Sequence, residues 1–217
     1  MFRSGKRKTM SRTSVIAPVI AAIVLAVLVS VPVRGESADP AASRVNGFYQ
    51  VLLSTMQQGN QLGVKGRYAK LAPVLSKSFD LAAMAKTAVG PSWSEFTPEQ
   101  QRELVKAFTR MTVATYASRF DDFSGEQLDV VQTADQPNGD KIVKTQIIQS
   151  NGKPVALNYL MHRSGAEGKI MDVYLDGAIS ELATRRAEFG AILKSGGPDA
   201  LISSLTGQGD KLLGGGT

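Results

Sequence analysis

Residues 126–175 hold four short runs rich in Val, Ile, Leu and Tyr, parted by turn segments of only five to seven residues. The runs are Glu126–Thr133, Lys141–Gln149, Val155–Arg163 and Lys169–Leu175. Asn138-Gly139 and Asn151-Gly152 stand in the first two turns, and Ser164–Gly168 forms the third. Asn-Gly between strand-like runs is a hairpin signal, because both residues tolerate the positive φ that tight turns need. Parallel neighbours require a crossover of a dozen or more residues. Gaps this short therefore predict four consecutive antiparallel strands in a meander, and the rest of the chain must pack around that sheet.

The flanking segments have a helical period. Val45, Phe48, Tyr49, Leu52, Leu53 and Met56 recur at three- and four-residue steps and predict a helix over Ala41–Gln58, ended by Gly59. A second helix is expected over Gly66–Phe79, with Pro73 as the candidate kink. Asp80 can cap a third over Leu81–Val89, which Gly90-Pro91 stops. Thr97-Pro98-Glu99-Gln100 has the capping-box spacing with Pro in the first turn, and predicts a long helix to about Phe120. After the strands, Ala178–Lys194 and Pro198 to about Leu205 or Leu213 read as two more helices. Helices, then one sheet, then helices define an α+β domain over residues 39–213, with 214–217 as a frayed tail.

The first 38 residues read as an address. Met1–Ser14 is strongly positive, Val15–Val33 is almost wholly apolar, and Pro18 and Pro32 lie within it. This is the order of a signal peptide. Two readings fit: a secretory signal cleaved near Gly35, Ala38 or Ala42, or an uncleaved anchor of about 18 residues. Either delivers the domain across the inner membrane. The leader also accounts for most of the charge. The whole chain carries +6, but six basic residues against Glu36 lie in residues 1–38, and the remainder holds nineteen basic against eighteen acidic side chains. A folded part so near neutrality argues against nucleic acid as a partner.

Few residues suggest chemistry. The absence of cysteine excludes disulfides and thiolate sites. His162 is the only histidine, a poor basis for a metal site, and is expected at a strand end facing water. No Gly-x-Ser-x-Gly elbow and no glycine-rich phosphate cradle is present. Asp121-Asp122, and Asp172 with Asp176, are more simply read as solvated turn residues than as acid–base pairs. The strand runs, by contrast, are apolar on both faces. Val155, Leu157, Tyr159 and Met161 oppose Ala156 and Leu160, while Met171, Val173 and Leu175 oppose Ile170 and Tyr174. With Phe108, Met111, Tyr116 and Phe120 from the long helix, such a set suits either a packed core or a deformable apolar pocket.

Several segments together resemble the toluene-tolerance family of periplasmic lipid-binding proteins, typified by MlaC. They are Phe79–Ala85, Val89-Gly90-Pro91-Ser92-Trp93, Phe96–Gln101, Thr115–Phe120, Ser124-Gly125-Glu126, Gly168–Ser180, Arg186-Ala187-Glu188-Phe189 and Gly197–Ile202, in that order across residues 45–205. Ala69–Leu75 and Thr115–Phe120 more closely resemble the hopanoid-associated HpnM branch. One departure is visible: Gly168-Lys169 stands where the family often has Trp-Lys.

The resemblance implies a helical layer packed on a strongly twisted four-stranded antiparallel meander sheet, enclosing an apolar cavity. It implies a non-enzymatic carrier with no cofactor other than its lipid cargo, hopanoid or phospholipid. The implied partners are an inner-membrane transporter of the ABC or RND type and, for the MlaC branch, an outer-membrane lipoprotein complex. Periodicity and the family layout together select Met84, Phe108, Met111, Val113, Tyr116, Phe120, Leu157, Tyr159, Met161, Val173, Leu175, Ile179 and Phe189 as cavity lining. Two rival readings are a periplasmic interaction or scaffold protein of the same fold with a filled core, and a hydrolase using His162.

Overall fold

The computed structural model describes residues 39–164 and 168–214. The leader expected over 1–38 lies outside the described residues, as do 165–167 and 215–217. Gly214, assigned to the tail from sequence, is instead the last residue of a helix.

Among the described residues four α-helices precede the sheet. Helix α1 spans Pro40–Met56 and is capped by Asp39, whose carboxylate accepts from the Ala41 N–H at 2.8 Å. The same carboxylate receives Lys141 at 2.8 Å and the Thr133 hydroxyl at 3.2 Å, tying the helix start to the first hairpin. Helix α2 spans Gly59–Ser78, longer than the expected Gly66–Phe79. Its break lies at Gly63 (φ 60°), while Pro73 stands inside the helix. Glycine has no Cβ to oppose a positive φ, so the bend falls there. Helix α3, Leu81–Val89, is capped by Asp80 as expected, and a 3-10 turn over Gly90–Glu95 follows. Helix α4, Pro98–Arg119, opens on the full capping box: Thr97 Oγ1 accepts from the Gln100 N–H and Gln100 Oε1 accepts from the Thr97 N–H.

The sheet has the order β1-β2-β3-β4-β5, all antiparallel. Its strands are β1 (Gln127–Asp135), β2 (Lys141–Ile148), β3 (Pro154–His162), β4 (Lys169–Leu175) and β5 (Ile179–Ser180). The short β5 was not foreseen. Asp176 (φ 50°) and Gly177 (φ 77°) form a two-residue turn with the Ala178 N–H on the Leu175 carbonyl, which folds Ile179 and Ser180 back onto β4. The last helix, α5, therefore starts at Glu181 rather than Ala178, and runs to Gly214 with a break at Gly197 (φ 70°), just before Pro198.

The register identifies the covered face. Val143 pairs with Tyr159 and Tyr159 with Val173; Thr145 pairs with Leu157 and Leu157 with Leu175. Between β3 and β4 the register slips: Leu160 faces Asp172, but Met161 faces Ile170. Met171 is the extra residue of a bulge, which shifts the alternation by one position. Ile170 thus joins Val173 in the core, and the expected grouping of Met171 with Val173 does not form. Helix α1 packs on β1 and β2, α3 and α5 reach β4, and α4 packs along α5.

A buried arginine locks the helical layer. Arg67 donates to the carbonyls of Ala117 and Gly59, both at 2.7 Å. The first lies in the last turn of α4, where carbonyls lack helical partners. At Gly59 the backbone passes so close that an added Cβ would stand 1.9 Å from the Asp121 carbonyl oxygen. Gly59→Ala is expected to destabilise the fold by about 1–3 kcal/mol, as overpacking against a backbone atom does, measured as a lower urea midpoint at unchanged slope.

Candidate functional site

Helix α4 presents one long stripe to the sheet. Phe108, Thr112, Thr115, Tyr116, Arg119 and Phe120 follow at helical spacing and all face a cavity of about 140 Å³. Leu157, Val173 and Leu175 close it from the sheet side, Phe79 and Met84 from below, and Glu181, Leu182 and Arg185 from the first turns of α5. Thr115 fits this surface because its hydroxyl donates to the Met111 carbonyl within the helix at 2.9 Å. Its methyl group is then free to serve as wall.

An aromatic cluster stands beneath the cavity. Phe48 and Phe79 meet edge to face at 5.3 Å, Phe48 and Tyr116 at 5.6 Å, and Phe79 and Tyr116 at 5.9 Å, while Phe120 stacks on Tyr116 at 5.6 Å. Tyr49 and Tyr159 extend the cluster to the sheet. The Thr145 hydroxyl has one proton and donates it to the Leu157 carbonyl. Tyr49 must therefore be the donor in its 2.6 Å contact with Thr145 Oγ1. Burial pushes the Tyr49 phenol up to about 12 and raises those of Tyr116 and Tyr159 well above their ordinary range.

The mouth is charged. Arg185 lies 3.1 Å from Glu181 and 3.2 Å from Glu188, and the exposed Arg119 stands on the α4 side. The α5 side is fixed by Asp172, which is buried. It accepts from the N–H groups of Val173 (2.8 Å) and Leu182 (3.1 Å) and from the Ser180 hydroxyl (2.5 Å). Ser180 Oγ in turn accepts from the Ala183 N–H at 2.9 Å, as a helix cap.

Of the residues selected from sequence, Met84, Phe108, Tyr116, Phe120, Leu157, Val173 and Leu175 line the cavity. Met111, Val113, Tyr159 and Phe189 do not; they are fully packed in the core. The Met111 backbone lies against Gly209 of α5, and Phe189 packs edge to face on Phe108 at 6.2 Å. Met161 is buried and borders a separate polar groove. Ile179 lies in β5, 56% exposed, outside the lining.

Phe79, Thr112, Thr115, Arg119, Glu181, Leu182 and Arg185 were missed. The two threonines sit on the Phe108–Tyr116 stripe and were legible by spacing. The charged three carry no such signal, since only folding brings them together. His162 is remote from the cavity, at the far end of β3, with Nδ1 2.7 Å from Asp140 Oδ1. Among the described residues no group of His, Asp and Glu is arranged to hold a metal ion.

The sequence profile of the family described as MlaC protein matches residues 47–207. Among solved structures the chain is similar to the phospholipid-binding protein from Ralstonia solanacearum, determined in complex with a phospholipid. The TM-score is 0.70 at 22% identity, covering 79% of this chain and 98% of that one. At that identity the likeness is one of fold. Comparison with curated proteins finds no match.

The raised phenols imply a sign for alkaline stability. A tyrosine whose folded pKa lies above its ordinary value of 10.0 ionises more readily in the unfolded chain. Stability should be complete below about pH 10 and fall as pH rises toward 12. Urea midpoints between pH 8 and 12 are expected to drop less steeply in Tyr49→Phe than in the wild type.

Proposed function

Since the chain belongs to the MlaC protein family, we propose that it is a periplasmic lipid carrier. It takes lipid tails into the α4–sheet cavity and shuttles lipid between the inner and outer membranes. A transporter in the inner membrane, of the ABC or RND type, and an outer-membrane lipoprotein complex would load and unload it. The observation that carries this reading is the void itself: hydrocarbon walls, an aromatic floor and a charged rim on one side. A scaffold protein would have no use for such an opening. The bound phospholipid of the Ralstonia neighbour favours phospholipid as cargo. The wording of Ala69–Leu75 and Thr115–Phe120 favours a hopanoid as the second reading.

The energetics suit a shuttle. Burial of apolar surface contributes about 0.8 kcal/mol per CH₂, so a tail of a dozen methylenes gains on the order of 10 kcal/mol, similar to its gain in a membrane. Exchange between the two then runs close to balance, without a covalent step. The void holds only about ten water-sized groups, so long tails enter by displacing the half-buried Phe120 and Leu157 side chains. The carrier reading, in preference to an enzyme, is also favoured by the distance of His162 from the cavity: it lies five positions along β3 from Leu157, roughly 17 Å.

Native mass spectrometry of the protein purified from its own envelope, followed by lipid extraction, is expected to reveal a lipid adduct. Adduct-free folded protein would count against the carrier. Leu157→Asp and Val173→Asp place a charge in the hydrocarbon wall, at a cost of several kcal/mol to a bound tail. Each is expected to cut co-purified lipid more than about tenfold, with circular dichroism verifying that the variant folds. Full lipid retention in a folded variant would remove that residue from the wall.

A further inference from the structure

We infer that the domain is freed from its leader by a signal peptidase that cuts between Gly35 and Glu36, leaving Asp39 inside the mature chain as the fixed start of α1. The sequence allows three cuts, after Gly35, Ala38 or Ala42. The folded domain separates them.

Asp39 belongs to the fold rather than to the leader. Its carboxylate accepts from the Ala41 N–H at 2.8 Å, from Lys141 at 2.8 Å and from the Thr133 hydroxyl at 3.2 Å. Its carbonyl accepts from the Ser43 N–H at 2.8 Å, which opens the helical ladder. The hydrogen bond from Lys141 holds the Asp39 carboxyl below its ordinary range. Ala41 is packed in the core, 4% exposed. A cut after Ala42 would discard the cap and this core residue together, and would leave Lys141 to the exposed Asp135 at 3.1 Å. A cut after Ala38 would keep Asp39 but turn its nitrogen into the new α-ammonium. That cation would stand at the N-terminus of α1, where the helix dipole disfavours positive charge, and would compete with Lys141 for one carboxylate. A cut after Gly35 puts the ammonium on Glu36, three residues earlier, and pairs it with a carboxylate of its own.

The peptidase reads local sequence, and its preference agrees. Signal cleavage takes compact, uncharged residues at the first and third places before the cut. Gly35 and Val33 meet this requirement, whereas the other two cuts would offer Glu36 or Pro40 at the third place. The place of Asp39 also argues against a retained anchor, and this step alone rests on the carrier reading. Lys141, which Asp39 holds, pairs with Met161, and Leu157 of the cavity lies four positions along β3, roughly 13 Å away. Residues 34–38 span at most about 18 Å. An anchor would therefore hold the Asp39 end of the sheet to the membrane and keep the cavity end away from it.

The test is the intact mass and N-terminal sequence of the protein after export of the full chain. A soluble chain beginning at Glu36 is expected. A chain beginning at Asp39 or Ser43, or an uncut chain in the membrane fraction, overturns the inference. Gly35→Trp should abolish the cut and leave the chain on the membrane; unchanged processing at Glu36 would overturn the assigned recognition. Asp39→Ala should be cut at the same bond but melt about 2–4 °C lower. An unchanged melting temperature would show that the fold does not select the site. Lipid adducts are read in the same spectra: their absence from the mature protein counts against the carrier and leaves the cleavage site standing.

Discussion

One buried carboxylate sets the geometry on which the cavity depends. Asp172 sits in β4, and its two oxygens take up the Leu182 N–H at the start of α5 and the hydroxyl of Ser180, the residue that caps that helix. Such an anion at a helix N-terminus is stabilised by the unpaired N–H groups and by the helix dipole. The consequence is positional. With its first turn fixed to β4, α5 presents Leu182 inward and Glu181 and Arg185 to the rim, then continues alongside α4. The ion pair of Arg110 with Asp210 (2.6 Å) and the contact of Gln100 with Asp199 (2.9 Å) hold the rest of that helix pair in register.

The cavity then persists because its floor and its walls are built differently. The floor rings contact one another edge to face on several sides, and Tyr49 and Thr145 tether them to the β3 backbone. Interlocked rings cannot slide upward to fill a void without losing those contacts. The upper wall is looser: Phe120 and Leu157 are half-buried, and Leu175 is 36% exposed. A rigid base under movable side chains allows hydrocarbon to enter without unfolding, which a solid core does not.

The mouth adds a gradient of polarity. Over the last three turns of α4 the surface passes from Phe108 through two threonines and Tyr116 to Arg119. A lipid has the same gradient, from tail to ester to headgroup. For a carrier of the kind proposed, matching the two along one helix would give orientation as well as affinity, since reversing the lipid would bury its charge in hydrocarbon.

Local rules were enough for much of this. The capping box at Thr97, the Asp80 cap, the Asn-Gly turns and the bounds of β4 follow from short-range hydrogen bonding and from the two periods of helix and strand, and all can be read along the chain. The apolar stripe from Phe108 to Phe120 was legible in the same way, thus about half of the cavity lining was within reach. The remainder depended on contacts distant in sequence. The break in α2 falls at Gly63 rather than Pro73, the bulge at Met171 exchanges the faces of β4, and β5 forms because Asp172 and the Asp176-Gly177 turn draw the chain back. Above all, periodicity identifies which face is apolar but not whether the space it faces is filled. Met111 and Tyr159 have the same apolar signature as Phe108 and Leu157, yet the first two are packed and the second two border the void. That difference arises from the volume left between layers, which only the tertiary structure decides.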